Sequence, residues 1–166
     1  MTEIDAAPQP LPRARLIAIH LDEASIARPS ATIDHEREVA IFDILDGNSF
    51  GLVGRDDGPY KLTLAIAGER LAFAVGTETQ DAIVTHLLSL TPFRRIMKDY
   101  FIVCDSYYSA IRTAPPSRIQ SIDMGRRALH DEGSRLLTQR LEGKITVDHD
   151  TSRRLFTLIC ALHGRG

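Results

Sequence analysis

This sequence is poor in the residues that usually indicate a function or a cellular location. Its 166 residues include no tryptophan and only two cysteines, Cys104 and Cys160. Each cysteine falls in the apolar stripe of a predicted helix, where a free thiol packs like a small hydrophobic side chain, so we expect no structural disulfide. No apolar run approaches the roughly 18 residues that a membrane-spanning helix needs. The composition therefore favours neither a disulfide-bonded scaffold nor a membrane protein.

Motifs for catalysis and nucleotide binding are also missing. The sequence contains no phosphate-cradling glycine loop, no dinucleotide fingerprint and no zinc-protease signature. Residues 47–51 formally fit the G-x-S-x-G pattern of a nucleophilic serine, but that turn must follow a strand and open a helix. Here Ser49 follows a predicted helix, and a glycine helix stop is the better interpretation. We expect no cofactor.

What the sequence has is the composition of one ordinary globular domain, with 43% hydrophobic and 25% charged residues. A chain of this length can bury roughly two-thirds of its unfolded surface. Residues 1–12 carry two acids and three prolines before any apolar run, which predicts a flexible tail rather than a signal or transit peptide. We expect residues 13–166 to form a single domain in the cytoplasm.

The spacing of apolar residues predicts the secondary structure. The predicted elements are a strand at 13–21, a helix at 32–46, a hairpin within 60–75, a third strand at 82–90, helices at 91–113 and 117–141, an extended segment at 144–147, and a helix at 151–163. The order β-α-β-β-β-α-α-α predicts an α+β fold in which a small antiparallel sheet is covered by a C-terminal group of helices.

The helix at 91–113 is expected to be the centre of the fold and to be largely buried. Apolar or aromatic residues recur along it at helical spacing, Pro92 occupies its first turn, and Pro115 and Pro116 follow its end. Side chains that can accept hydrogen bonds from the first free amides precede each helix. The predicted caps are Thr32, Thr91, Ser117 and Asp150.

Two glycines interrupt the helix predicted at 117–141, and each needs a reason, because glycine inside a helix costs on the order of 1 kcal/mol relative to alanine. Close approach of a neighbouring helix is the expected reason for Gly125. Gly133 and Ser134 leave two alternatives open: either the helix continues, or Gly133 ends it and Ser134 caps a new one.

Three strings of the sequence carry a resemblance: DHEREVAIFDILDGNSF, THLLSLTPFRRIMKDYF and RRLFTLICALH. They resemble an uncharacterised bacterial protein family of unknown function, mainly alphaproteobacterial, numbered 0262 among such families. The resemblance extends from about Arg13 to the end of the chain. It implies a bacterial cytoplasmic setting and a single domain, and it carries no catalytic residue over to this chain.

Charge is distributed unevenly along the chain. Residues 1–91 carry 14 acidic and 7 basic residues, whereas residues 92–166 carry 13 basic and 8 acidic residues. Several cations stand near predicted helix starts, where they oppose the helix dipole unless an anion is also present. These observations predict a non-enzymatic domain whose basic helical half binds an acidic protein partner or a small anion. The predicted site residues are Arg94, Arg95, Lys98, Arg153 and Arg154.

Other interpretations of the same residues remain. The arginines could pair internally with acids of the other half, for example Asp34, Glu36 or Glu38. Nucleic acid is an unlikely partner, because the pI is about 6.3 and no nucleic-acid motif occurs. An enzyme with a His/Glu acid-base or metal site is the alternative function. Its candidate residues are His35, Glu38 and His130. The oligomeric state does not follow from the sequence.

Overall fold

The computed structural model describes residues 12–163, so the predicted tail lies almost entirely outside the described residues. Within them, the strands are β1 (Leu16–Leu21), β2 (Phe50–Leu52), β3 (Tyr60–Ala67), β4 (Arg70–Thr77), β5 (Val84–Ser89) and β6 (Ile145–Val147). The helices are α1 (Ala31–Asp46), α2 (Arg94–Thr113), α3 (Pro116–Leu141) and α4 (His149–His163), and a single 3-10 turn, Thr91–Phe93, precedes α2. The predicted α+β class, with a small sheet and a C-terminal group of helices, is confirmed.

The main sheet has four strands in the order β1-β3-β4-β5. β3, β4 and β5 are antiparallel neighbours, with Leu62 opposite Val75 in the β3–β4 hairpin and Gly68 at φ 63° in its turn. β1, however, pairs with β3 in parallel, so the sheet is mixed rather than antiparallel. The difference arises because α1 lies between these strands and carries the chain back to the end of the sheet at which β1 began.

A second, two-stranded sheet joins β2 to β6, with Phe50 opposite Val147. β6 lies within the predicted extended segment, whereas β2 falls where a loop is predicted. β2 could not be predicted, because three residues are too few to establish the alternation of apolar and polar side chains that indicates a strand. The pairing brings the end of α1 beside the start of α4, where the Ser49 amide donates a hydrogen bond to Thr151 Oγ1 at 2.9 Å.

α4 is the central helix. It packs between α1 and α3, and its side chains Leu155, Phe156 and Ile159 are buried in the apolar cluster that also contains the inward face of the main sheet. α2, predicted to be central and largely buried, packs on α3 and leaves Ile102 and Tyr108 56% and 51% exposed. That prediction is wrong because apolar spacing identifies a helix face without measuring how many elements cover it.

The helices begin differently from the predictions. Ser30 caps α1 by accepting a hydrogen bond from the Ile33 amide at 3.2 Å, and Asp148 accepts one from the Thr151 amide near the start of α4 at 2.8 Å. Neither α2 nor α3 has a side-chain cap; a proline stands in the first turn of α3 and in the 3-10 turn before α2, where a missing amide costs little. The predicted caps Thr32, Thr91, Ser117 and Asp150 are therefore wrong.

α3 continues without a break through Gly133 and Ser134, which settles the alternatives left open for this pair. A Cβ on Gly133 would lie 2.2 Å from the Phe156 ring, so Gly133 is the glycine that permits close helix approach. A Cβ on Gly125 would meet only Val103, at 3.9 Å, so close approach does not account for Gly125. No helix in residues 12–163 is long and apolar enough to cross a membrane.

Candidate functional site

α3 and α4 run antiparallel and are fastened together at buried positions. Ser152 Oγ donates a hydrogen bond to the Ser134 carbonyl at 2.7 Å, and Thr138 Oγ1 donates to Ser152 Oγ at 2.9 Å. With Phe156 seated against Gly133, these bonds fix the register of the two helices. The register brings His130, which lies about one turn before Gly133 on α3, beside Thr157, the residue that follows Phe156 on α4.

Four arginines line a cleft of about 550 Å³ between these helices. Arg126 and Arg127 come from α3, and Arg153 and Arg154 come from α4. We call this site the basic cleft. Its other lining residues are Tyr100, His130, Asp150 and Thr157.

The two arginines from α3 share one carboxylate. Asp123 pairs with Arg126, and its other oxygen lies 3.0 Å from Arg127 Nε. The Arg126 guanidinium also stands 4.6 Å from the centre of the Tyr107 ring, in a cation–π contact. The Arg126 guanidinium is the leading cause that holds the pKa of Asp123 below its usual range. One negative charge thus serves two positive ones.

The two arginines from α4 differ from those of α3 in their surroundings. Among residues 12–163, no carboxylate lies within 4 Å of the Arg153 or Arg154 guanidinium. Arg154 Nη1 donates to the Gly47 carbonyl at 2.7 Å, and Arg153 is exposed. Because α4 begins at His149, both stand beyond its first residues, and the dipole effect falls off within the first turn. Arg153 and Arg154 are therefore candidates for anion binding because of their charges, and not because of their position relative to the start of the helix.

His130 forms part of the cleft wall. Its ring packs against Tyr100 and Phe156 at centroid distances of 5.5 and 5.4 Å, and its Nε2 lies 2.7 Å from Thr157 Oγ1. Thr157 Oγ1 itself donates to the Arg153 carbonyl, which makes it the acceptor for Nε2–H. Burial, followed by the positive charges of Arg153 and Arg126, lowers the pKa of His130 to about 4. The imidazole is therefore neutral at pH 7.

The five predicted site residues do not share one site. Arg153 and Arg154 line the basic cleft, whereas Arg94 lines a separate hollow beside Leu162, near the opposite end of α4. From Arg153 to Leu162 the helix rises by about 13 Å. Arg94 pairs with Glu69 at 2.5 Å, Arg95 is 3.9 Å from Asp99, and Lys98 is exposed outside the cleft.

The acids suggested as internal partners lie elsewhere. Asp34, Glu36 and Glu38 form no ion pair within 4 Å with any of the predicted site arginines in the described part of the chain. Where an arginine at the start of α2 is paired, Glu69 and Asp99 supply the carboxylates. The acidic half of the chain thus contributes Glu69 to these pairs.

The residues of the alternative enzyme site are also dispersed. His130 lines the basic cleft, His35 lines a second pocket formed by α1, α2 and α4, and Glu38 is exposed and lines neither. Over residues 12–163, no three histidine, cysteine, aspartate or glutamate side chains are grouped so that they could hold a metal ion.

The predicted anion or partner site did not include Arg126 and Arg127, which line the basic cleft together with Arg153 and Arg154. Each pair is an arginine doublet on a predicted helix, which was the available signal. The doublets are 27 residues apart, and only the antiparallel packing of α3 on α4 brings them together. Tyr100 of α2, which is partly buried against the core, lines the cleft as well.

Comparison with known proteins identifies relatives whose functions are not described by their names. The sequence matches the family described as "Uncharacterised protein family (UPF0262)" over residues 13–165. A UPF0262 protein of Methylobacterium radiotolerans is 59% identical over 92% of this chain and 94% of its own length. Those of Nitrobacter hamburgensis and Brucella canis are 57% identical over 93% and 94% of this chain, and 94% and 98% of their own. No solved structure matches. The chain belongs to the uncharacterised protein family UPF0262, as its resemblance implies.

Proposed function

We propose that this protein is a cytoplasmic binding domain that takes a small polyanion, of the phosphate-bearing class, in the basic cleft. One observation carries the proposal: four guanidinium groups from two helices line one cleft, and two of them have no carboxylate within 4 Å among residues 12–163. Guanidinium forks bind phosphate and carboxylate oxygens in pairs, with a geometry that a lysine cannot match.

The charge balance of the cleft supports an anionic ligand. The α3 doublet is partly neutralised by Asp123, and Asp150 is the one carboxylate among the lining residues that the structure describes. Burial is the chief cause of the lowered pKa of His130, and the positive charges of Arg153 and Arg126 lower it further. A ligand with two or more negative charges would remove the repulsion between the doublets.

The shape of the cleft favours a small molecule over an acidic protein partner. Pockets for small ligands typically enclose about 300 to 1,000 Å³, and the basic cleft encloses about 550 Å³ between two helices. A stable protein–protein interface involves about 20 to 30 residues on each side, more than the eight that line this cleft. The cations at the start of α2 are not among the residues that line the cleft.

The test is isothermal titration of the full chain with inorganic diphosphate at low ionic strength. Wild-type protein should bind, and Arg153→Gln should weaken binding about tenfold to a hundredfold, because a hydrogen bond to a charged group contributes about 1.5 to 3 kcal/mol. Arg95→Gln is the matched control, since its side chain is 93% exposed and outside the cleft. Absence of binding at millimolar diphosphate, or equal weakening in both variants, would overturn the proposal.

A further inference from the structure

A second, apolar pocket adjoins the basic cleft. It encloses about 370 Å³, and we call it the apolar groove. α4 forms its floor with Thr157, Cys160 and Ala161, while α1 and α2 contribute walls that include Val39 and Phe101. The apolar groove and the basic cleft share three lining residues, Tyr100, Arg126 and Thr157, so the two pockets meet along one boundary.

Some apolar side chains in the groove are more exposed than the side chains of a hydrophobic core. Val39 is 44% exposed and Tyr108 is 51% exposed, although both line a concave apolar surface beside the buried Ala40. Apolar side chains left open to water at a concave site are a feature of ligand pockets. The groove is therefore suited to an apolar part of a molecule whose charged part lies next door.

Charges at the two ends give the combined site a direction. The basic cleft presents four arginines, whereas the α1 wall of the apolar groove carries Glu36 and Asp43. An anionic group is attracted to the first and repelled by the second. A ligand with one charged end can therefore lie across the boundary in one orientation only, with Arg126 at the junction.

We infer that the ligand is an amphipathic anion, with a phosphate-type head in the basic cleft and an aliphatic or aromatic body in the apolar groove. This inference rests on the proposed function and narrows it, because a purely hydrophilic polyanion would leave the groove empty. The neutral Tyr100 side chain, whose pKa is raised chiefly by burial, separates the two environments. It contributes an aromatic face to the body of the ligand and no charge that would oppose the head.

The experiment compares methyl phosphate with hexyl phosphate by calorimetric titration of the full chain. Burial of a methylene group tightens binding up to about fourfold, so hexyl phosphate should bind on the order of thirtyfold more tightly if its chain is partly enclosed. Val39→Asn, which makes the groove wall polar without adding charge, should reduce this ratio by about threefold or more. Val53→Asn is the matched control, because Val53 is 52% exposed and lines neither pocket.

Three outcomes would contradict the inference, and they separate it from the proposed function. If both phosphates bind equally and Arg153→Gln weakens both, the basic cleft stands and the groove has no part in binding. If hexyl phosphate binds more tightly but neither Val39→Asn nor Arg153→Gln affects it, the chain binds elsewhere. If neither phosphate binds the wild-type protein, the inference and the proposed function both fall.

Discussion

An arginine side chain lies near each end of α4, and the two differ in burial and in hydrogen bonding. Near the C-terminal end, Arg37 of α1 is only 5% exposed, and its Nε donates to the Ala161 carbonyl at 2.9 Å. Its Nη2 donates to the carbonyls of Ala27 and Leu162 at 3.2 and 3.3 Å. Nearer the N-terminal end, Arg153 is exposed and faces a cleft that already holds three other arginines.

Both arginines are charged, so charge does not distinguish a structural arginine from a candidate binding arginine. The difference lies in whether the N–H donors of the guanidinium are already hydrogen-bonded within the protein. Arg37 is committed to backbone carbonyls at a helix end, where a cation also meets the favourable end of the dipole. Burial lowers the pKa of Arg37, opposed by the charge of Asp34. In the part of the chain that the structure describes, the Arg153 guanidinium has no carboxylate within 4 Å, so an external anion can use its donors.

The largest effect is expected from Arg37→Ala. This change would lower the free energy of unfolding by about 3 to 5 kcal/mol, because it removes charged hydrogen bonds and leaves buried carbonyls without donors. Urea denaturation followed by circular dichroism measures it. Arg28→Ala, which truncates an exposed arginine in the preceding loop, should change stability by less than about 0.5 kcal/mol. Similar losses for both variants would remove the distinction between the two kinds of arginine.

A smaller effect is expected from Gly133→Ala, which tests the packing that forms the basic cleft. The new Cβ would overlap the fully buried Phe156 ring, and the overpacking should outweigh the gain in helix propensity and destabilise the protein by about 2 kcal/mol. Diphosphate binding should weaken too, because α3 and α4 must move apart.

Gly125→Ala is the control on the same helix. Its Cβ would make an ordinary contact with Val103, so the change should stabilise α3 by up to about 1 kcal/mol. Thermal unfolding of the two variants should therefore shift in opposite directions. A shift of Gly133→Ala in the stabilising direction would show that the helices are not held at the spacing that the Phe156 contact sets.

Much of the secondary structure could be predicted because its signals are local. Leu62 and Leu64 alternate on one strand and Leu71 and Phe73 on the next, and the structure places these four side chains on the buried face of the sheet. The parallel pairing of β1 with β3 could not be predicted in this way. The pairing depends on the end of the sheet to which α1 brings the chain back. The sequence of neither strand indicates which strand it pairs with.

The candidate site was harder to predict than the fold. The cations at the start of α2 and the Arg153–Arg154 doublet look alike in sequence, since each stands near a helix start. The two groups of cations differ in their surroundings. Arg94 pairs with Glu69, 25 residues away in sequence, whereas the Arg153–Arg154 doublet lies beside two further arginines from α3. Whether a partner is near depends on tertiary contacts, and a single sequence does not contain that information in readable form.

The smallest effect, and the one that bears most directly on the basic cleft, concerns pH. The pKa of His130 is about 4 in the folded protein against 6.5 in an unfolded chain, so the folded state binds fewer protons between these values. The stability that His130 contributes is complete above pH 6.5 and is lost as the pH falls toward 4. Allowing for partial exposure, we expect a loss of about 1 to 2 kcal/mol over this range, and His130→Gln should reduce it.

The same imidazole should sense the ligand. Arg153 and Arg126 help to lower its pKa, so diphosphate bound between the arginines should shield their charge and raise the pKa of His130. By linkage, binding would then take up protons below about pH 6 and become tighter as the pH falls through that range. The ring proton resonance of His130, assigned with the His130→Gln variant, should titrate at higher pH when diphosphate is present. An unchanged midpoint with diphosphate bound would place the anion away from Arg153, and the contrast between the two ends of α4 would then carry no functional meaning.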